Sequence, residues 1–153
     1  MLLDNVDKNI LRAVQRNCLI GADELAETAH TSASTALRRL RKMREAGIIT
    51  KESAHVDPAK VGRPLLMIVG VRLVNDDAKI AADFVRQLRQ HDAVMQCFFV
   101  TGSVDYIIHF SARDMAEYER FVQDMLIANP DVGISETNVV INALKLDVAV
   151  PID

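Results

Sequence analysis

Residues 22–49 read ADELAETAHTSASTALRRLRKMREAGII, and the organisation of the whole chain turns on how this stretch divides. Leu25, Ala26 and Ala29 recur at helical spacing while Asp23, Glu24 and Glu27 fall on the opposite side, which predicts a short helix over 22–29. His30-Thr31 breaks it. Ser32 can cap a new helix because its hydroxyl accepts from a first-turn amide, and Gly47 suits the left-handed position just past a helix end. The helix between them has two faces. Thr35, Arg38, Arg39 and Lys42 form one stripe, and Ala36, Leu37, Leu40 and Met43 fill the other side, with Arg44 lying along the apolar side at the last turn. Five of the seven residues from 38 to 44 are basic and none is acidic. Such a run is either a solvated face or a surface for a polyanion. Two capped helices joined by a tight turn favour the second, because an α-helix fits the major groove of DNA and the second helix of such a pair presents its N-terminal side chains to base edges. Ser32, Ser34, Thr35 and Arg38 stand at that end, where Arg38 can donate twice to a guanine. Arg39, Arg41 and Lys42 are placed for phosphates.

Working outward, Asp4 can cap a helix and Val6, Ile10, Ala13 and Val14 repeat at helical spacing, which predicts a first helix from 4 to about 17. After the third helix, 48–52 and 53–56 read as two short strands, a small wing. Asp57-Pro58 stops them, and 57–64, with Gly62 and Pro64, reads as a hinge. The expected division is therefore a winged helix-turn-helix over 1–56, the hinge, and a second domain over 65–153. Charge follows it. The net charge is −3, but residues 1–63 carry +3 and 64–153 carry −6, so only the head is suited to DNA.

Beyond the hinge the period changes. Residues 65–73 form an apolar strand with Arg72 as its one charge, 76–90 an amphipathic helix, 94–100 and 104–110 two strands around Thr101-Gly102-Ser103, 114–128 a helix, and 139–150 mostly strand. The order β-α-β-β-α-β is that of a ferredoxin-like α+β domain, a four-stranded antiparallel sheet with both helices on one face. These strands are too apolar for the other face to stay wet, and another copy of the domain is the simplest cover.

Other chemistries find little support. No run approaches the roughly 18 apolar residues of a membrane span, and Met1-Leu2-Leu3-Asp4 does not open a signal peptide. Cys18 and Cys97 have no zinc spacing, and two lone thiols fit the cytoplasm. No phosphate loop or hydrolase motif occurs, and His109 has no identifiable nucleophile or acid partner. The sequence calls for no catalytic residue, metal or cofactor.

In Asp7-xx-Ile10-Leu11, Glu24-Leu25-Ala26, Thr31-Ser32-Ala33-Ser34 and Leu37-xx-Leu40-xx-Met43-xxx-Gly47-Ile48-Ile49, the head resembles the Lrp/AsnC (feast/famine) transcription regulators. The body resembles them in Asp57-Pro58-xxx-Gly62, in residues 100–106 (VTGSVDY) and in Asp114-Met115-xx-Tyr118-xx-Phe121. The resemblance implies a winged helix-turn-helix and a ferredoxin-like effector domain that dimerises and builds tetramers or octamers. It also implies an amino acid or related metabolite bound between effector domains. Ala33 stands where the family commonly has Pro, and Arg44 where it often has Glu, which leaves the operator open.

The residues of the hairpin allow two readings. It is an ordinary turn, with Gly102 supplying the backbone freedom and Asp105 satisfying a local amide. Alternatively the amides of Gly102, Ser103 and Val104 hold a carboxylate, Thr101 and Ser103 add hydroxyls, and Asp105 accepts an ammonium. The resemblance favours the second and brings in Tyr106, with Glu136, Thr137 and Asn138 completing the pocket from a neighbouring subunit. The expected function is a DNA-binding regulator that senses a small molecule. An architectural DNA-bending protein without effector, and a dimeric ferredoxin-like enzyme using His109, stay open as alternatives.

Overall fold

The computed structural model describes residues 2–153. One unit runs up to His55 and takes in Lys145–Asp153, and the other covers Val56–Leu144.

The first unit is built on three helices, α1 (Asn5–Arg16), α2 (Ala22–Ala29) and α3 (Ala33–Glu45). Asp4 and Asp7 close a reciprocal cap on α1, each carboxylate accepting from the other's amide at 2.9 and 3.2 Å. His30, at φ 53°, turns the chain between α2 and α3 in the left-handed region, a conformation that non-glycine residues rarely adopt. Ser32 caps α3 by accepting from the Thr35 amide at 3.3 Å, and Gly47 follows the helix end at φ 69°. Ile10, Leu25, Ala29, Ala36, Leu40 and Met43 form the buried centre.

Three expectations about the head change. Residues 48–56 form no strand, and a lone two-stranded wing without a further partner is marginal in water. Arg44 does not lie along the apolar side. Its guanidinium grips Glu52 through Nε at 3.1 Å and Nη2 at 2.7 Å, pinning the segment after α3. Leu37 is 46 % exposed while Ala36, Leu40 and Met43 are buried as expected, so Leu37 lies at the rim of the apolar face rather than within it.

The second unit carries β1 (Leu65–Leu73), α4 (Ala78–Gln90), β2 (Val94–Phe99), β3 (Tyr106–Ala112), α5 (Met115–Phe121) and β4 (Val132–Val139). A 3₁₀ turn, Ala59–Val61, precedes them, and α5 runs on as a π-helical segment, Val122–Ile127. The sheet order is β2-β3-β1-β4, with all neighbours antiparallel, which is the expected ferredoxin-like arrangement. Met67, Val69, Val71 and Leu73 alternate toward the helices and pack with Phe84, Ile108, Phe110 and Phe121. The opposite face keeps Ile68, Phe98 and Ile134 between 37 and 57 % exposed.

The last strand lies earlier than expected. β4 pairs with β1 only from Val132 to Val139, Val140 then donates to the Leu66 carbonyl, and just Leu65 of β1 lies beyond that point. Residues 140–153 are therefore not strand, and Glu136, Thr137 and Asn138 lie within β4 rather than before it. The C-terminal boundary moves with it. The side-chain amide of Gln15 accepts from the Val150 amide at 2.8 Å and donates to its carbonyl at 3.1 Å, and Arg12 donates to the Ile152 carbonyl at 2.6 Å. The tail thus packs with the head rather than closing the body.

Candidate nucleic-acid and effector sites

The exposed ridge of α3 consists of Ser34, Leu37, Arg38, Arg41 and Lys42. The first four stand at i, i+3, i+4 and i+7, one continuous helix face. Arg38, Arg41 and Lys42 make no ion pair with any described residue. An unpaired, fully solvated cation can exchange its counterions for phosphates at no internal cost. Ser32 and Thr35 are tied to each other, the Ser32 hydroxyl donating to Thr35 Oγ1 at 2.9 Å, so they shape the helix start.

Arg39 is set apart from this ridge. Its Nη1 lies 2.6 Å from the Asp4 carboxylate and 3.0 Å from that of Asp7. The arginine hydrogen bond, reinforced by the Asp7 amide, lowers the Asp4 pKa, and the two carboxylates raise that of Arg39. Arg39 Nε is buried without a hydrogen-bond partner. The structure therefore uses Arg39 to join α3 to α1. Leu37 is the residue that the sequence reading missed. Its position three residues after Ser34 and four before Arg41 was the available signal.

In the body, the hairpin between β2 and β3 is closed by the Val100 amide donating to the Asp105 carbonyl at 2.9 Å. The Asp105 amide donates to the Val71 carbonyl at 2.9 Å, and its carboxylate accepts from the Leu73 amide at 2.8 Å. Arg72 reaches over from β1 to the carbonyls of Gly102 and Ser103. With those carbonyls engaged, the amides of Thr101, Gly102, Ser103 and Val104 donate to no other described residue. Gly102 has φ 126°, which side-chain-bearing residues rarely adopt. Val104 lies over Gly70, where a Cβ would meet its Cγ1 at 3.1 Å.

The remaining expected effector residues do not share one place. Glu136 pairs with Gly70 on the open face of the sheet, beside Val104. Thr137 points the opposite way and hydrogen-bonds the Tyr118 hydroxyl. Tyr106 is 4 % exposed on the helix side, in edge contact with Phe84 at 5.3 Å. His109 sits on the open face with its ring 5.7 Å from that of Phe98. No helix among the described residues is long and apolar enough to cross a membrane.

A solvated basic ridge on the second helix of a helix-turn-helix, joined to a ferredoxin-like domain with a free-amide hairpin, defines a DNA-binding protein with a ligand-binding domain. Residues 3–50 match the family model for winged helix-turn-helix DNA-binding, and 66–150 match that for the Lrp/AsnC ligand binding domain. An HTH-type transcriptional regulator of Sinorhizobium fredii, y4tD, is 38% identical, the alignment covering all of this chain and 90% of the relative. The transcriptional regulator AzlB of Bacillus subtilis is 33% identical, covering all of this chain and 98% of the relative. The crystal structure of a Neisseria meningitidis transcriptional regulator in complex with L-Met superposes with a TM-score of 0.92 at 29% identity, over 98% of this chain and 97% of that one. The chain belongs to the Lrp/AsnC family of transcriptional regulators, DNA-binding proteins that respond to small molecules.

Proposed function

We propose that α3 reads a specific operator through Ser34, Leu37 and Arg38, while Arg41 and Lys42 hold phosphates. The observation that carries this is the solvated ridge from Ser34 to Lys42, from which Arg39 and Arg44 are withdrawn by ion pairs of their own. An exposed leucine beside an arginine suits a thymine methyl next to a guanine. We further propose that the effector is an amino acid held by the hairpin, its carboxylate on the free amides from Thr101 to Val104, with Glu136 on the same sheet face to meet its ammonium. The L-Met bound by the Neisseria relative supports this class.

The partly apolar open sheet face supports pairing through that face into a homodimer, and dimers into tetramers or octamers, which would set two α3 helices in successive major grooves. The protein acts by binding rather than catalysis, and in the cytoplasm. Effector binding changes the relative stability of assembly states, and so the spacing of the heads.

The test is fluorescence anisotropy on the DNA upstream of the protein's own gene at about 150 mM salt, where long-range attraction is screened. Binding that survives scrambled competitor and shifts with a pool of amino acids is the expected result. Equal competition by scrambled DNA, with no response to the pool, would instead make the protein an architectural DNA binder.

A further inference from the structure

We propose that the groove between α4 and the edge strand β2 binds an apolar carboxylic acid that lacks an ammonium group, at a site separate from the free amides of the hairpin. The sheet order leaves β2 without an outer neighbour, and Phe99 at its end is 78 % exposed. Beside it lies a cavity of about 430 Å³ lined by Val85, Leu88, Arg89, Cys97, Phe99 and Tyr106. An adjoining lobe of about 690 Å³ shares Val85, Arg89, Phe99 and Tyr106. Both sizes fall in the range of small-molecule sites, which run from roughly 300 to 1,000 Å³.

Besides Gln90, Gln96, Cys97 and the ion-paired Arg86, which also line the lobes, two polar groups give the groove its chemistry. Tyr106 is 4 % exposed, with its ring held against Phe84 at 5.3 Å and Phe99 at 5.4 Å. Its hydroxyl makes no hydrogen bond to any described residue, yet it is not sealed in, because Arg39 Nε is the one side-chain nitrogen or oxygen among the described residues that is buried without a partner. The hydroxyl therefore opens onto the groove that Tyr106 lines, where a ligand oxygen can satisfy it. Arg89 is the second group. Arg86 beside it is held by Asp83 at 3.0 Å, whereas Arg89 forms no ion pair with any described residue.

The same lining decides what the ligand lacks. Neither lobe is lined by an aspartate or glutamate, so a carboxylate finds Arg89 while an ammonium finds no counter-charge. An amino acid would leave its ammonium without a carboxylate partner and close to Arg89, and an aryl- or branched-alkyl carboxylate would not. Phe99 and Tyr106 are also the last residue of β2 and the first of β3, so a ligand here presses on both feet of the hairpin. The body would then respond to two chemistries, one on each side of the sheet.

Calorimetric titration of the full chain with 3-phenylpropionate tests this, with 3-phenylpropylamine as the charge control. One acid per chain is expected, with no heat of binding from the amine. Arg89→Gln should weaken the acid about tenfold or more, and Tyr106→Phe by several-fold. Arg89 is exposed and the phenylalanine keeps the ring contacts, so both variants should melt like the parent. Affinity undiminished in both, equal binding of the amine, or no saturable heat would overturn the proposal. A groove filled by a second copy would show as no acid binding together with a loss of mass on Phe99→Ser, and that outcome overturns it as well.

Discussion

The Asp105 carboxylate accepts a 2.8 Å hydrogen bond from the Leu73 amide, at the place where the register between β1 and β4 slips. That amide faces β3, whose ladder with β1 ends at Val71 and Tyr106, so it has no regular strand partner and a side chain from the β2–β3 hairpin supplies the acceptor. Asp105 thus fastens the hairpin to the central strand. Asp105→Ala should destabilise the body by about 1–3 kcal/mol, the usual cost of leaving a largely buried donor unpaired, measured by urea unfolding. A variant of parental stability that lost only its effector response would make Asp105 a ligand group rather than a fastener.

Arg38 and Arg39 are adjacent and should behave oppositely. Arg38 is exposed and unpaired, while Arg39 bridges to Asp4 and to the buried Asp7. Arg38→Ala should weaken operator binding at least tenfold and leave the melting temperature of the head unchanged. Arg39→Ala should lower that melting temperature by several degrees, because it strips the buried Asp7 of its counter-charge. Equal effects of both on DNA affinity, with equal melting, would put Arg39 back on the DNA face.

That pair also shows where sequence reading stops. The ends of α3 were legible because Ser32 and Gly47 act locally, each on backbone within a turn. The destination of Arg39 was not, because Asp4 and Asp7 lie more than thirty residues away and nothing in the run from 38 to 44 distinguishes one arginine from the next. The order of elements in the body followed from the switch between periods of two and 3.6. The place of β4 did not, because Leu144, Leu146, Val148 and Val150 alternate in strand fashion too, and only the register against β1, Met67 with Val139 to Leu73 with Val132, decides which stretch pairs. The exposure of Leu37 was not legible, because its spacing from Ala36 and Leu40 fits the rim of the apolar stripe as well as its middle. The hairpin was legible as a candidate site, but the separation of Glu136 from Thr137 follows from their adjacency in one strand, which was not foreseen.

Glu117 is expected to contribute to the acid limit of the body. The Arg113 amide, at 2.7 Å, and then the Arg63 and Arg113 guanidinium groups outweigh its partial burial and hold its pKa down at about 2. A carboxyl depressed in the folded state contributes stability that is complete above its unfolded value, near 4.5, and is lost as pH falls through the folded one. The melting temperature of the parent should therefore drop between about pH 4.5 and 2. Glu117→Gln should start lower at neutral pH and show a flatter decline across that window. An unchanged slope in the variant would mean that other carboxylates govern the acid transition.

The hairpin turn can be separated from the fold through Gly102. A Cβ there meets nothing within 4 Å, so a substitution acts through the backbone, which at φ 126° resists any residue with a side chain. Gly102→Val should shift the loop and with it the free amides from Thr101 to Val104, costing about 1–2 kcal/mol in the body. The expected outcome is loss of the DNA-binding response to amino acids, with operator affinity in their absence retained. Full retention of the response would remove the hairpin from the effector site.

Assembly can be tested at the middle of β1. Ile68 is 37 % exposed on the open face, paired with His109 on one side and Asn138 on the other. A lysine there can reach solvent in an isolated chain, so folding should survive, but in a sheet-to-sheet dimer its charge would be buried opposite the same residue of the other copy. By light scattering at micromolar concentration the parent should run as a dimer or larger, and Ile68→Lys should run at or near the monomer mass. With two linked heads on one operator, as proposed, the variant should also lose far more affinity for a two-half-site operator than for a single half-site. If the mass is unchanged, the open face is not the surface on which copies meet, and the partner must lie against the helices or the tail.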